Sequence, residues 1–134
     1  MNSKTFAFRL HPTKDLKIGI EEFVSDQKIL AGFIITCVGS LTDFHLRFAN
    51  QQSGSRGSGH YEIVSLVGTL STNGSHLHIA LANESGSVFG GHLLEGCKIY
   101  TTAEIVIGVH EGFIFEREID SATGYRELTI KQKT

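Results

Sequence analysis

Near residue 31 the hydrophobic period of this chain changes from that of a helix to that of strands, and this change limits the fold more than any other property of the sequence. Before it, Leu16, Ile20, Phe23 and Val24 recur at helical spacing, with Asp15, Lys17, Glu21, Glu22 and Asp26 on the wet side. After it, apolar residues alternate with polar ones or fill both faces of short runs, the pattern of strands. A chain with one helix and many strands must bury its sheet faces against each other or under that helix.

The segments can be placed in order. Thr5 to Leu10 alternates and reads as a strand, and Thr13 is placed to cap the helix, which ends near Gln27 or Lys28. Phe33, Ile34, Ile35 and Val38 are apolar on both faces, as in a covered central strand. Phe44, Leu46 and Phe48 alternate with Asp43, His45 and Arg47, so that strand has one wet face. Gln51 to Gly59 is polar and glycine-rich and reads as a mobile loop. Tyr61 to Leu70 and His76 to Ala82 are strands joined by a turn carrying Asn73-Gly74, a strong hairpin signal. Ser85 to Gly96 reads as irregular. Cys97 to Val109, Phe113 to Ile119 and Tyr125 to Ile130 complete the strands. The expected class is α+β: about eight strands in a mostly antiparallel, strongly curved sheet or two packed sheets, with one main helix.

At 134 residues with 40% hydrophobic side chains, residues 1–134 fit one domain with one core. The formal charge of -2 predicts no long-range attraction to nucleic acid or acidic membranes. No stretch approaches the roughly 20 apolar residues that span a bilayer. No basic start followed by an apolar run opens the chain, so a cytoplasmic, membrane-free protein is expected. Cys37 and Cys97 lie in apolar stretches without metal-finger spacing and are expected to be buried free thiols.

The chemistry-bearing residues are histidines. His76 and His78 stand two apart on a strand and so share a face, while Leu77, Ile79 and Leu81 take the opposite, core-facing side. His92 follows Gly90 and Gly91, which allow a sharp turn and a close backbone approach. A segment returning beside the strand would bring His92 to the other two. Three neutral imidazoles at about 2.0–2.1 Å from one point make a zinc site with an open fourth position. Glu62 and Glu104, each in an otherwise apolar strand, are candidates to hold the outer ring nitrogens. The alternative is a hydrogen-bonded polar cluster that orders Ser85 to Gly96. His11, His45, His60 and His110 read as surface residues.

Three segments, Gly59 to Leu70 (GHYEIVSLVGTL), Ser75 to Cys97 (SHLHIALANESGSVFGGHLLEGC) and Thr101 to Ile107 (TTAEIVI), resemble the signature blocks of the PPC (plants and prokaryotes conserved) domain. The order of the first half, a strand, a helix, then Ala-Gly and Gly-Ser around a buried strand, agrees with it. The resemblance implies a compact domain that assembles as a homotrimer. It also implies a regulatory interaction module: in plants the domain follows an AT-hook and serves self-association and partner binding. Bacterial and archaeal relatives are usually the bare domain, often labelled DNA-binding proteins by analogy. Here Arg56-Gly57 is the nearest thing to an AT-hook and lacks its second arginine and proline. Little intrinsic DNA affinity is therefore expected, with DNA or a DNA-associated protein reached through a partner.

No nucleotide loop, nucleophile elbow or base-stacking platform is present in the sequence, and no catalytic residue is assigned. The alternative to the interaction module is a zinc-dependent small-molecule binding protein or hydrolytic enzyme built on the three histidines. The apolar run Ile105-Val106-Ile107, with Phe113 and Phe115, is the expected subunit contact.

Overall fold

The computed structural model describes residues 3–134. Among them β1 (Ser3–Leu10) leads into α1 (Leu16–Asp26). The long β2 (Gly32–Arg47) and β3 (Ser55–Leu70) follow, then β4 (His76–Ala82), β5 (Val88–Leu93) and β6 (Ile99–His110). A last pair, β7 (Phe113–Ile119) and β8 (Arg126–Gln132), stands apart as a two-stranded sheet. The expected α+β class, with eight antiparallel strands and one helix, is the one observed. None of the helices among the described residues is long and apolar enough to cross a membrane.

The main sheet runs β1-β6-β2-β3-β4-β5, and β5 also pairs back onto β2 through Leu46–Leu93 and Arg47–His92. Strands β2 to β5 therefore curl until they close. Curling of this degree needs breaks in the ladder, and the register shifts at Leu41/Asp43, Ile34/Thr36 and Ile63/Ser65 supply them. One core fills the curl and the space under the helix. Leu41, Leu46, Leu81 and Leu93 lie in it together with Ile105, Ile107 and the helix residues Leu16, Ile20 and Val24.

Asp15, not Thr13, caps α1. Its Oδ1 accepts the Ile18 N–H at 2.9 Å, and its Oδ2 accepts the Gly96 N–H at 2.6 Å. Thr13 sits too early for the first turn and has positive φ. The helix seals one face of the sheet through Phe23, which stacks on Phe8 at 3.9 Å and meets Phe6 edge-on at 5.6 Å.

Two glycine-rich stretches differ from expectation. Ser55 to Gly59 is the start of β3, paired with the end of β2, and the loop is confined to the residues before it. A Cβ at Gly57 would collide with the Phe44 ring, so glycine there makes room for an aromatic rather than for motion. Val88 to Leu93, expected to be irregular, is β5. The expected hairpin at Asn73-Gly74 is present, with the Gly74 N–H donating to Ser71 O at 3.0 Å.

The expected subunit contact is also displaced. Ile105 and Ile107 are core residues at 1% and 0% exposure. Five of the exposed apolar side chains among the described residues lie together on β2 and β3: Phe33, Ile35, Val38, Val64 and Val67. Phe33 pairs with Thr69 and Gly39 with Ile63, and between these two pairs β2 carries Ile35 and Val38 while β3 carries Val64 and Val67. The patch is thus a single stripe across two strands.

A candidate metal centre at the closure of the sheet

β4 carries His76 and His78 on its outer face, while Leu77, Ile79 and Leu81 fill the core behind them. β5 runs antiparallel beside it and sets His92 directly opposite His78. The ring centroids of His76 lie 4.9 Å from His78 and 5.1 Å from His92, and those of His78 and His92 are 5.7 Å apart. One ring nitrogen from each falls within 4.8 Å of the other two.

Gly90 and Gly91 place this third ring, although not by a sharp turn. Both lie inside β5. A Cβ at Gly90 would run into the Ile79 carbonyl oxygen of β4, and one at Gly91 would stand 2.6 Å from the Arg47 carbonyl oxygen of β2. Consecutive residues of a strand face opposite sides, so the two glycines admit close neighbours from both sides. The closure of the sheet and the position of His92 have the same cause.

The donor set fits a divalent transition metal. Ligands about 2.0–2.1 Å from a tetrahedral zinc stand roughly 3.3 Å from each other. His76 Nε2 and His78 Nε2 are already 3.2 Å apart, and a modest ring rotation would bring in His92. Two of the three rings are also held toward the neutral form that can bind. Burial, then the Arg47 guanidinium, lowers the His92 pKa to about 4. Burial, then the His78 and Arg117 charges, lowers that of His76.

This has a consequence for the metal-free protein. His92 in the unfolded chain takes up a proton near pH 6.5, whereas in the fold it resists until about pH 4. Stability is therefore full above pH 6.5 and is lost as the pH falls from there toward 4. Urea titrations of metal-stripped protein at pH 8, 6 and 5 are expected to show this decline, and His92→Gln should flatten it. An equal decline in the variant would assign it to other groups.

The structure does not bring the two expected carboxylates to the cluster. Glu62 pairs with Ala82, at the far end of β4 from His76. Glu104 lies exposed on β6, where it accepts from Thr102 Oγ1 at 3.3 Å. The groups that do surround the histidines were not singled out in the sequence. A cleft of about 760 Å³ opens beside them, lined among others by Arg47, Arg117, Tyr125, Arg126 and Glu127. Arg117 reaches it from the β7–β8 hairpin, and its Nη2 donates to Thr69 Oγ1 at 2.7 Å. Thr69 pairs with His76 across β3 and β4. The hairpin is held by Phe115: its N–H donates to Leu30 O at 2.8 Å, and its carbonyl accepts from Ser71 Oγ at 2.9 Å.

The other candidates are structural. Cys37 and Cys97 are free and buried, and burial raises their thiols to about 12 and about 11. Cys97 Sγ accepts the His45 N–H at 3.3 Å, so it packs with His45 rather than His92. His45 Nδ1 contacts the Glu95 carbonyl at 2.6 Å and ties down the β5–β6 connection. His110 stacks on Phe113 at 4.1 Å.

Fold and site together define a small α+β domain whose antiparallel sheet closes upon a histidine cluster. The chain belongs to the Plants and Prokaryotes Conserved (PCC) domain family, whose model matches residues 1–111. It is 44% identical over 129 residues to the bifunctional protein GlmU of Synechococcus sp. (strain JA-3-3Ab), covering 96% of this chain and 21% of that protein. The chain thus spans about a fifth of the length of that curated relative. Among solved structures, a hypothetical protein of Salmonella enterica matches at TM-score 0.97 and 37% identity, over 99% of this chain and 96% of that one. A metal-containing protein of Archaeoglobus fulgidus matches at TM-score 0.80 and 28% identity, over 94% and 93%. A protein of Bacteroides thetaiotaomicron described as a candidate DNA-binding protein shares the fold at TM-score 0.82 and 22% identity, over 96% of each chain.

Proposed function

We propose that this PCC domain is a self-associating regulatory module that binds a divalent metal, zinc by the nature of its donors, through His76, His78 and His92. The convergence of three ring nitrogens within 4.8 Å carries the reading. The likeness to a metal-containing archaeal protein supports it. Held by three neutral imidazoles, zinc keeps a coordination position for an outside ligand. The module therefore binds a small molecule at the metal; hydrolysis by a metal-bound water is the enzymatic form of the same site. After metal-replete expression, elemental analysis of the purified protein should find zinc equimolar with the chain. A protein free of stoichiometric metal overturns the reading.

The stripe of Phe33, Ile35, Val38, Val64 and Val67 supports self-association, as a homotrimer in keeping with the family. Solvent-exposed apolar clusters of this kind mark interaction surfaces. Val64 is 56% exposed, so Val64→Glu should leave the folded chain intact yet place a charge inside the contact. Light scattering should find a trimer for the native protein and a monomer for the variant. A native monomer, or a variant that stays trimeric, would remove the stripe from assembly.

DNA association, the role suggested for the structural relative from Bacteroides, is assigned here to a partner rather than to this surface. The net charge of -2 supplies no long-range attraction to a phosphate backbone. In a gel shift at physiological salt, weak or no binding to duplex DNA is the expected result, and salt-sensitive nanomolar binding would contradict it.

A further inference from the structure

We infer that the cleft beside the three histidines is a receptor for the phosphate group of a small phosphorylated molecule, clamped between the metal and the guanidinium groups of Arg47 and Arg117. The inference rests on the metal reading above and adds to it the class of ligand.

The charge of the cleft comes first. Arg47, Arg117 and Arg126 line it, against one carboxylate, Glu127. Among the described residues none of the three arginines forms an ion pair, although exposed lysines elsewhere do so readily. Cations gathered in a concavity without carboxylate partners cost solvation and are retained where an anion repays it. A divalent metal would add two further positive charges.

The state of Arg117 points the same way. Its side chain is half-buried, with Nη2 anchored on Thr69 Oγ1 at 2.7 Å and the stem against Gly74, whose added Cβ would lie 3.0 Å from Arg117 Cγ. Its Nε is buried without a partner, as is the nearby Ser75 Oγ. Buried polar atoms are almost always hydrogen-bonded, so two orphans on residues that line one cleft leave polar groups that a small side-chain shift would offer to a bound group.

The geometry selects phosphate over carboxylate. Arg47 stands beside His92 by strand pairing, and Arg117 stands beside His76 through Thr69. Donors thus approach from two sides of the histidine cluster, with the open metal position between them. A carboxylate offers two oxygens in one plane, whereas a phosphate monoester offers three terminal oxygens in three directions. The cleft volume of about 760 Å³ exceeds what a bare anion needs and falls in the usual range for small-molecule sites. Tyr125, also in the lining, gives the organic part of the ligand an aromatic surface. A concave site of this size suits a small molecule rather than a nucleic-acid backbone.

The test titrates zinc-loaded protein at pH 8 with phenyl phosphate and with inorganic phosphate by calorimetry, for the native chain and for Arg47→Met, Arg117→Met and Arg126→Met. Each substitution leaves all three ligating rings in place, so zinc uptake should be retained. Loss of a charged hydrogen bond is expected to weaken phenyl phosphate at least about tenfold in Arg47→Met and Arg117→Met. Arg126→Met, whose side chain has no link through strand pairing or a hydrogen bond to the histidine strands among the described residues, should lose less. Should Arg117→Met fail to fold, Arg47→Met decides alone. Equal affinity in native and variant proteins overturns the phosphate clamp while leaving the metal in place. Loss of zinc by a folded arginine variant overturns it too, by assigning the arginine a structural role. A native protein without zinc ends the metal reading, and this inference with it. Displacement of phenyl phosphate by a short DNA duplex would transfer the cleft to nucleic acid and likewise sink the proposal.

Discussion

Replacing His78 by alanine is expected to abolish metal binding while leaving the domain folded. His78 is the exposed member of the cluster, and its ring packs on its fellow ligands rather than on the core. Substitutions at such positions usually shift stability by no more than about 0.5 kcal/mol. Removing one of three protein ligands should cost far more in affinity. Outer-shell partners alone are worth roughly 10- to 100-fold, so a direct ligand should exceed about 100-fold. Competition with a chelator measures the affinity, and thermal melting of the stripped protein measures the fold. Undiminished zinc affinity in His78→Ala would mean that the three rings are no metal site. A collapsed melting temperature would mean that they hold the structure instead.

A second substitution is expected to do both kinds of damage at once. Gly91→Ala places a methyl group 2.6 Å from the Arg47 carbonyl oxygen, closer than any ordinary contact. The obstacle is backbone, so it cannot rotate away. Either β5 separates from β2 or the strands buckle, and overpacking of this kind costs roughly 3 kcal/mol. His92 is the next residue and is itself one of the two closing pairs, so zinc affinity should fall with stability. Urea denaturation and chelator competition on the same preparation test this jointly. Stability and zinc affinity both near native would show that the closure tolerates a side chain, and the account of Gly90 and Gly91 given above would be wrong.

These two cases also show how far the sequence could be read. The alternation of His76, Leu77, His78 and Ile79 was sufficient to put two imidazoles on one face, because side-chain direction in a strand depends only on parity. That His92 should join them followed from its glycines, but the reason was different from the one expected. The glycines read as a sharp turn with a close backbone approach; the close approach is present, but from both sides of a strand rather than at a turn. The same confusion hid β5 and the start of β3, since composition does not distinguish a glycine needed for motion from one needed for clearance. Glu62 and Glu104 were drawn toward the histidines because they stood out among apolar neighbours. Register alone settles which end of β4 a partner strand faces, and it set Glu62 beside Ala82. Arg47 and Arg117 lie 70 residues apart in sequence and had no local mark at all. Their approach to one cleft depends on where β5 closes and where the last hairpin docks. Likewise, Ile105-Val106-Ile107 was the most apolar run and hence the natural choice for a surface contact, yet β1, β2 and the helix already cover it.

The family match stops at residue 111, and the β7–β8 hairpin begins at Phe113. The three histidines thus lie within the residues that the family model matches, while Arg117, Tyr125 and Arg126 lie beyond them, in the hairpin. An arrangement of this kind separates what is anchored from what is chosen. On the metal reading, relatives that keep the histidines but carry a different hairpin would present the same ion to different chemical company.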